Sequence, residues 1–158
     1  MKRRGSRRVL RTSLTVHDLR ALVGPVAHMF GVRGAASAEV VFLPNRALQR
    51  LKWRHLRRRA SFVNVLAFPE PSGFPHPEAP RGSLGEIYLN EAYRRDPDEG
   101  LRMFIHGLAH LCGFNHDGRR DTMEMQAAER RALTRARAQR GTRSPSTRGV
   151  VYEDTYRT

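Results

Sequence analysis

Apolar residues in this chain recur at helical spacing in several stretches and cluster into short β-rich runs between them, so helices and strands are expected to alternate. Thr15 and Asp18 frame a capping-box start, and Val16, Leu19, Val23, Val26 and Phe30 form the apolar face of a first helix that Pro25 must kink or divide. Val40–Leu43 reads as a strand, and a basic helix follows Pro44-Asn45. Phe62–Phe68, rich in Val, Leu and Phe, predicts a buried strand. The segment Pro69–Pro80 contains five prolines and predicts a long mobile loop, a candidate cover for a substrate groove. Leu84–Leu89 predicts another strand, Asn90–Arg95 a helical turn, and Glu99–Cys112 a helix. A last helix is expected over Arg119–Arg140, with Met123, Ala127 and Leu133 inward. A further strand is expected near Arg8–Arg11. The fold class is α+β, a single compact domain with a small, mostly parallel or mixed sheet of about four strands and about five helices. The domain occupies residues 1–140, and residues 141–158, rich in Thr, Ser, Pro and Arg without periodicity, form a basic disordered tail.

Composition narrows the function classes. The length of 158 residues suits one domain that buries about two thirds of its unfolded surface. A single cysteine excludes an internal disulfide and suits a reducing compartment. No apolar run reaches the ~18 residues that span a bilayer, and no apolar core follows the basic N-terminus, so neither membrane insertion nor a secretory signal is expected. A cytoplasmic location follows as the expectation. The formal charge of +14 favours polyanions, RNA above all, through counterion release. Nearly all of it is arginine, concentrated in residues 2–11, 50–59 and 130–148. The middle run sets Arg50, Lys52, Arg54, Arg57, Arg58 and Arg59 around Trp53, a mixture that suits base stacking with phosphate contact. An amphipathic helix in which Leu48, Leu51 and Trp53 pack while the arginines are solvated fits the same residues.

The densest chemistry is in Met103–Asp117. His106 and His110 lie one helical turn apart on one face and can offer nitrogens to one ion. Gly113 can end the helix at positive φ and return His116 toward them. Three ligands with an open position describe a catalytic zinc site rather than a closed structural one. Ile105, Leu108, Ala109, Leu111 and Cys112 read as core, and Asp117 is a candidate to orient a ligand imidazole. In His-Glu-x-x-His proteases the residue after the first histidine is the general base; here it is Gly107. Metal activation of water without that carboxylate leaves phosphodiester hydrolysis open.

The run His106-Gly-Leu-Ala-His110-Leu-Cys-Gly113-Phe-Asn-His116-Asp117 resembles the His-Gly-x-x-His-Leu-x-Gly-x-x-His signature of the YbeY family, metal-dependent endoribonucleases of rRNA maturation. Val63-Asn64-Val65-Leu66-Ala67-Phe68-Pro69 is similar to a second family block, with Val63 for the usual Thr and Ala67 for the usual Ser. Leu84-Gly85-Glu86-Ile87 is similar to a third. These blocks keep the family's order, within residues 36–135. The family's Leu-Asn-x-x-x-Arg is altered to Leu51-Lys-Trp-Arg-His-Leu56-Arg57-Arg58-Arg59, and counting back from Asn64 places Arg57 at the family arginine.

The resemblance implies one zinc ion on His106, His110 and His116. Arg57 or its neighbours are expected to hold phosphate oxygens, and Arg54, Arg58 and Arg59 of the basic run to bind RNA. The resemblance also implies a single-strand-specific endoribonuclease of 16S-type 3' end maturation and ribosome quality control. Its partners would be an rRNA precursor and small-subunit components, with no membrane and no DNA expected. Glu86 and Asp117 are candidates for the unassigned general base. A non-catalytic zinc-containing assembly factor and a metalloprotease are the rival readings.

Overall fold

In the computed structural model, residues 13–71 and 82–140 are described. They form helix α1 (Val16–Met29), strand β1 (Ser37–Leu43), helix α2 (Asn45–Leu56) and strands β2 (Val65–Pro69) and β3 (Ser83–Asn90). A 3-10 turn (Glu91–Arg94), helix α3 (Pro97–Leu111) and helix α4 (Arg119–Arg140) complete the order. The expected strand at Arg8–Arg11, most of the proline-rich loop and the expected tail lie outside the described residues. The three strands make one mixed sheet in the order β1-β3-β2. Central β3 runs parallel to β1, with Val40 opposite Ile87, and antiparallel to β2, with Ala67 opposite Ile87.

Side chains alternate across a strand, so the sheet sorts its residues onto two faces. Val40, Phe42, Val65, Ile87 and Leu89 join one core with Leu19, Val26, Phe104, Leu108 and Met125 from α1, α3 and α4. Leu66, Phe68 and Tyr88 turn to the opposite face and join Leu48 and Leu51 of α2. The sheet therefore separates α2 from α3.

Local chemistry explains the boundaries. The Asp18 N–H donates to the Thr15 hydroxyl and the Thr15 N–H to the Asp18 carboxylate, both at 3.1 Å, closing the expected capping box. Contrary to a division at Pro25, α1 continues through it. Pro25 and Ala21 are both exposed, so the carbonyl deprived of its partner stands on the wet side of the helix. Strand β2 starts at Val65 rather than Phe62, which is 46% exposed. The preceding segment is held by side chains: the Val63 N–H donates to Asn45 Oδ1 at 2.9 Å, and buried Asn90 donates to the Val63 carbonyl at 3.0 Å.

Helix α4 has the expected limits, and Leu133 packs against the core as expected, but the fully buried positions are others. Met123 is 63% exposed, and Met125, Ala128, Ala132 and Ala136 are the buried positions. Small alanines let the helix lie close against its neighbours, a packing mode that a search for large apolar residues overlooks. Arg137 clamps α4 to α3 by two hydrogen bonds to the Asp98 carboxylate, 2.7 and 2.6 Å long. No helix among the described residues is long and apolar enough to cross a membrane.

Candidate metal centre

Helix α3 presents the first two ligands. Asp96 caps its N-terminus by accepting from the Glu99 N–H at 3.3 Å, and Pro97 occupies the first turn, where a missing N–H is harmless. Its other end is a Schellman motif. The Gly113 N–H donates to the His110 carbonyl and the Phe114 N–H to the Ala109 carbonyl, each at 3.0 Å, with Gly113 at φ 96°. Phe114 then meets Phe30 edge to face, ring centroids 5.3 Å apart, which anchors the turn to α1. The chain is thereby returned over α3, and His116 stacks on His106 with centroids 5.3 Å apart.

The three histidines each place a ligand atom within 4.8 Å of the others. The His106 Nδ1–H donates to Glu129 of α4 at 2.8 Å, and the His110 Nδ1–H donates to the Phe114 carbonyl at 3.0 Å. Both acceptors lack a proton to give, so in the neutral imidazoles Nδ1 carries the hydrogen and Nε2 keeps the lone pair a metal needs. Those two Nε2 atoms stand 3.2 Å apart. Ligand nitrogens around a tetrahedral ion with bonds of about 2.0–2.1 Å are separated by about 3.3 Å, so the pair already has a metal's bite. Two lone pairs turned toward one point are satisfied by a cation there. His110 is driven down to about 4 by burial first, and also by His106, so it is neutral at physiological pH, the form that ligates. His106, His110 and His116 could hold a metal ion.

Gly107, between the two helical ligands, faces the sheet. A Cβ there would lie 3.0 Å from Val65 Cγ2, 3.3 Å from Ile87 Cγ2 and 3.8 Å from Ala67 Cβ. The three sequence blocks meet at this contact: β2 supplies Val65 and Ala67, β3 supplies Ile87, and α3 supplies the glycine. The family model described as Endoribonuclease YbeY matches residues 10–137. The chain belongs to the YbeY family. A relative of that name from Rhodopseudomonas palustris is 31% identical over 128 residues, covering 73% of this chain and 72% of its own. The Homo sapiens relative is 29% identical over 147 residues, covering 84% and 87%. The chain spans about half the length of other curated relatives it matches. A solution structure from Thermotoga maritima shares the fold with a TM-score of 0.50 at 18% identity, covering 84% of this chain and 91% of that one.

Within this YbeY fold the remaining expectations sort clearly. Glu86 is exposed and accepts from the Tyr88 hydroxyl at 2.8 Å. Its neighbour Ile87 faces α3, so Glu86 is on the α2 side of the sheet and is no general base for the histidines. Asp117 is exposed, and the acceptors that orient His106 and His110 are Glu129 and the Phe114 carbonyl. Cys112 is half-buried against the core, and burial pushes its thiol up to about 11, so it is packing and not a nucleophile.

Arg54 lies in the last turn of α2, and Arg57 is its left-handed C-cap at φ 53°. The guanidinium carbons of Arg57 and Arg59 stand 5.8 and 4.9 Å from the Trp53 ring centre. The structure thus gathers Arg57 and Arg59 about Trp53, at the end of the helix that covers the other face of the sheet, and leaves Arg54 exposed and Arg58 half-buried. Trp53 does not pack as an amphipathic helix would have it; it is 43% exposed while Leu48 is buried.

Glu129 is the functional residue that sequence reasoning missed. Its signal was an acid one position from Ala128 and four from Met125, on the buried face of an arginine-rich helix. His106 and Glu129 side chains are only 12% and 13% exposed, so their hydrogen bond is shielded from water. Removing the acceptor's charge lets the ring turn and lowers its basicity. Glu129→Gln is expected to weaken metal binding, with zinc as the probe, by roughly 10–100-fold. Competition with a chromophoric chelator measures this, and an unchanged affinity would exclude the positioning role.

Proposed function

We propose that this chain is a single-strand-specific endoribonuclease that hydrolyses phosphodiester bonds in rRNA maturation, with one zinc ion on His106, His110 and His116. The carrying observation is the pair of Nε2 atoms 3.2 Å apart with both Nδ1 atoms engaged. The name Endoribonuclease YbeY borne by its relatives and the charge of +14 support RNA as the substrate. In this reading the RNA is a 16S-type precursor cut toward its 3' end, with small-subunit components as partners in the cytoplasm, and the activity also serves ribosome quality control. Bound zinc would supply Lewis-acid activation of water and of the scissile phosphate. The histidines hold the ion through Nε2, Glu129 and the Phe114 carbonyl fix the rings, and Gly107 lets α3 lie flat on the sheet. Arg57 holds phosphate oxygens, with Arg54, Arg58 and Arg59 binding flanking RNA.

The residue after the first histidine points into the core, which removes the place a protease general base would occupy. A non-catalytic assembly factor is the second reading, favoured by Val63 and Ala67 in a block where the family usually carries hydroxyls. Zinc-loaded protein and a single-stranded precursor fragment distinguish the two. Cleavage that is lost in identically purified His110→Ala supports the nuclease, and no cleavage by the loaded wild type supports the assembly factor. Arg57→Ala is expected to lower kcat/KM by about 10–100-fold, the range for one charge-assisted phosphate contact. Unchanged kinetics would remove Arg57 from the RNA-holding surface.

A further inference from the structure

The outer face of α2 is a second exposed surface, separated from the histidines by the sheet. Leu48 and Lys52 are buried, and the His55 ring meets Phe68 at 5.1 Å, so these positions define the inner face. Arg46, Arg50, Trp53 and Arg54 are all exposed on the outer one, at helical spacing, with Arg57 continuing the row. No Asp or Glu occurs from Asn45 to Asn64. Among the described residues none of these arginines forms an ion pair, although Arg20, Arg102, Arg120, Arg137 and Arg140 all do. The Lys52 pKa is lowered, by burial first and then by the positive charge of Arg58, so the field here is positive even for the helix's own side chains.

We infer that this α2 face is an anchoring surface for single-stranded RNA, in which a base stacks on Trp53 and the arginine row holds the flanking phosphates. An exposed indole inside an acid-free arginine row suits an unpaired nucleotide, which offers a π-face and an anion at each step. A duplex hides its base faces, and an acidic peptide has no ring at each charge. The guanidinium groups of Arg57 and Arg59 against the indole keep these side chains gathered, and they can turn to phosphates when a base takes the ring. Both α2 and α3 cover β2, an edge strand, so one strand of RNA can pass around that edge from the anchor toward the histidines. The inference rests on the reading that the substrate is RNA. It adds a binding surface whose occupancy needs no metal.

Trp53 is the chain's only tryptophan, so its fluorescence reports this surface alone. Full-length His110→Ala protein, which separates binding from cleavage, is titrated with an oligouridylate of about 12 nucleotides, within the footprint of single-strand modules. Saturable quenching by the oligouridylate, with little quenching by heparin, is the expected result. Arg46→Glu/Arg50→Glu keeps the tryptophan and is expected to bind at least ten-fold more weakly, with a salt dependence reduced by about one unit per lost phosphate contact. Equal quenching by heparin would overturn base stacking, and quenching by an oligoglutamate peptide but not by RNA would reassign the surface to an acidic protein. Absence of quenching, or unchanged affinity in the double variant, would also overturn the inference. Failure of zinc-loaded wild type to cleave RNA would leave these binding results standing, so the two readings fail separately.

Discussion

Replacing His110 by alanine is expected to abolish stable metal binding while leaving the fold intact. Its Nε2 is one half of the 3.2 Å bite with His106. Apparent zinc affinities of roughly 10–16 kcal/mol for four-ligand sites, shared evenly, assign about 2.5–4 kcal/mol to each ligand. At 1.4 kcal/mol per decade, losing one ligand raises the zinc Kd on the order of 100- to 1000-fold. The effect exceeds that of Glu129→Gln because a ligand is lost and not merely its support. The fold should survive because the side chain is only half-buried, and the terminating turn is held by the Gly113 and Phe114 N–H groups rather than by the imidazole. Zinc content after gel filtration and a far-ultraviolet spectrum test both parts. Equal zinc in mutant and wild type would remove His110 from the ligand set.

The ligands were legible because a helix converts four residues of sequence into one turn of space, and Gly113 announces where the turn must stop. The partners that orient those ligands were not. Glu129 is 23 residues from His106, and only packing of α4 on α3 brings them to 2.8 Å. The second acceptor is the Phe114 carbonyl, a group every residue carries, so no sequence marks it. The same division holds for the fold. The start of α1 followed from its capping box, but the buried face of α4 is carried by alanines whose value depends on what they approach. Phe62 looked like strand because of its residue type, yet Asn45 and Asn90 hold that segment outside the ladder through contacts distant in sequence.

Gly107→Glu, which would restore the general base of the protease motif, is expected to unfold the protein instead of converting it. The glycine's hydrogen faces Val65 and Ile87, so even a Cβ would press on their methyl groups at 3.0 and 3.3 Å. Beyond that carbon the glutamate would have to place its carboxylate in the apolar layer between α3 and the sheet. Overpacking contributes about 1–3 kcal/mol, and a buried carboxylate adds several kcal/mol after relaxation. Their sum is comparable with the roughly 5–15 kcal/mol that stabilises a domain. Gly107→Ala is the informative companion. Its methyl requires a shift of a few tenths of an ångström, while alanine favours a helix over glycine by about 1 kcal/mol. A net change within about 1–2 kcal/mol is expected, with the fold kept. Urea midpoints measure both variants, and a Gly107→Glu protein as stable as wild type would refute the contact between α3 and the sheet. The argument reaches the chemistry because residue 107 is bracketed by two ligands on one helix. A carboxylate at 107 would start from the side of α3 that lies on Val65, Ile87 and Ala67, so it could reach toward the histidines only by displacing those side chains. Glycine at this position is therefore part of how the fold presents the histidines.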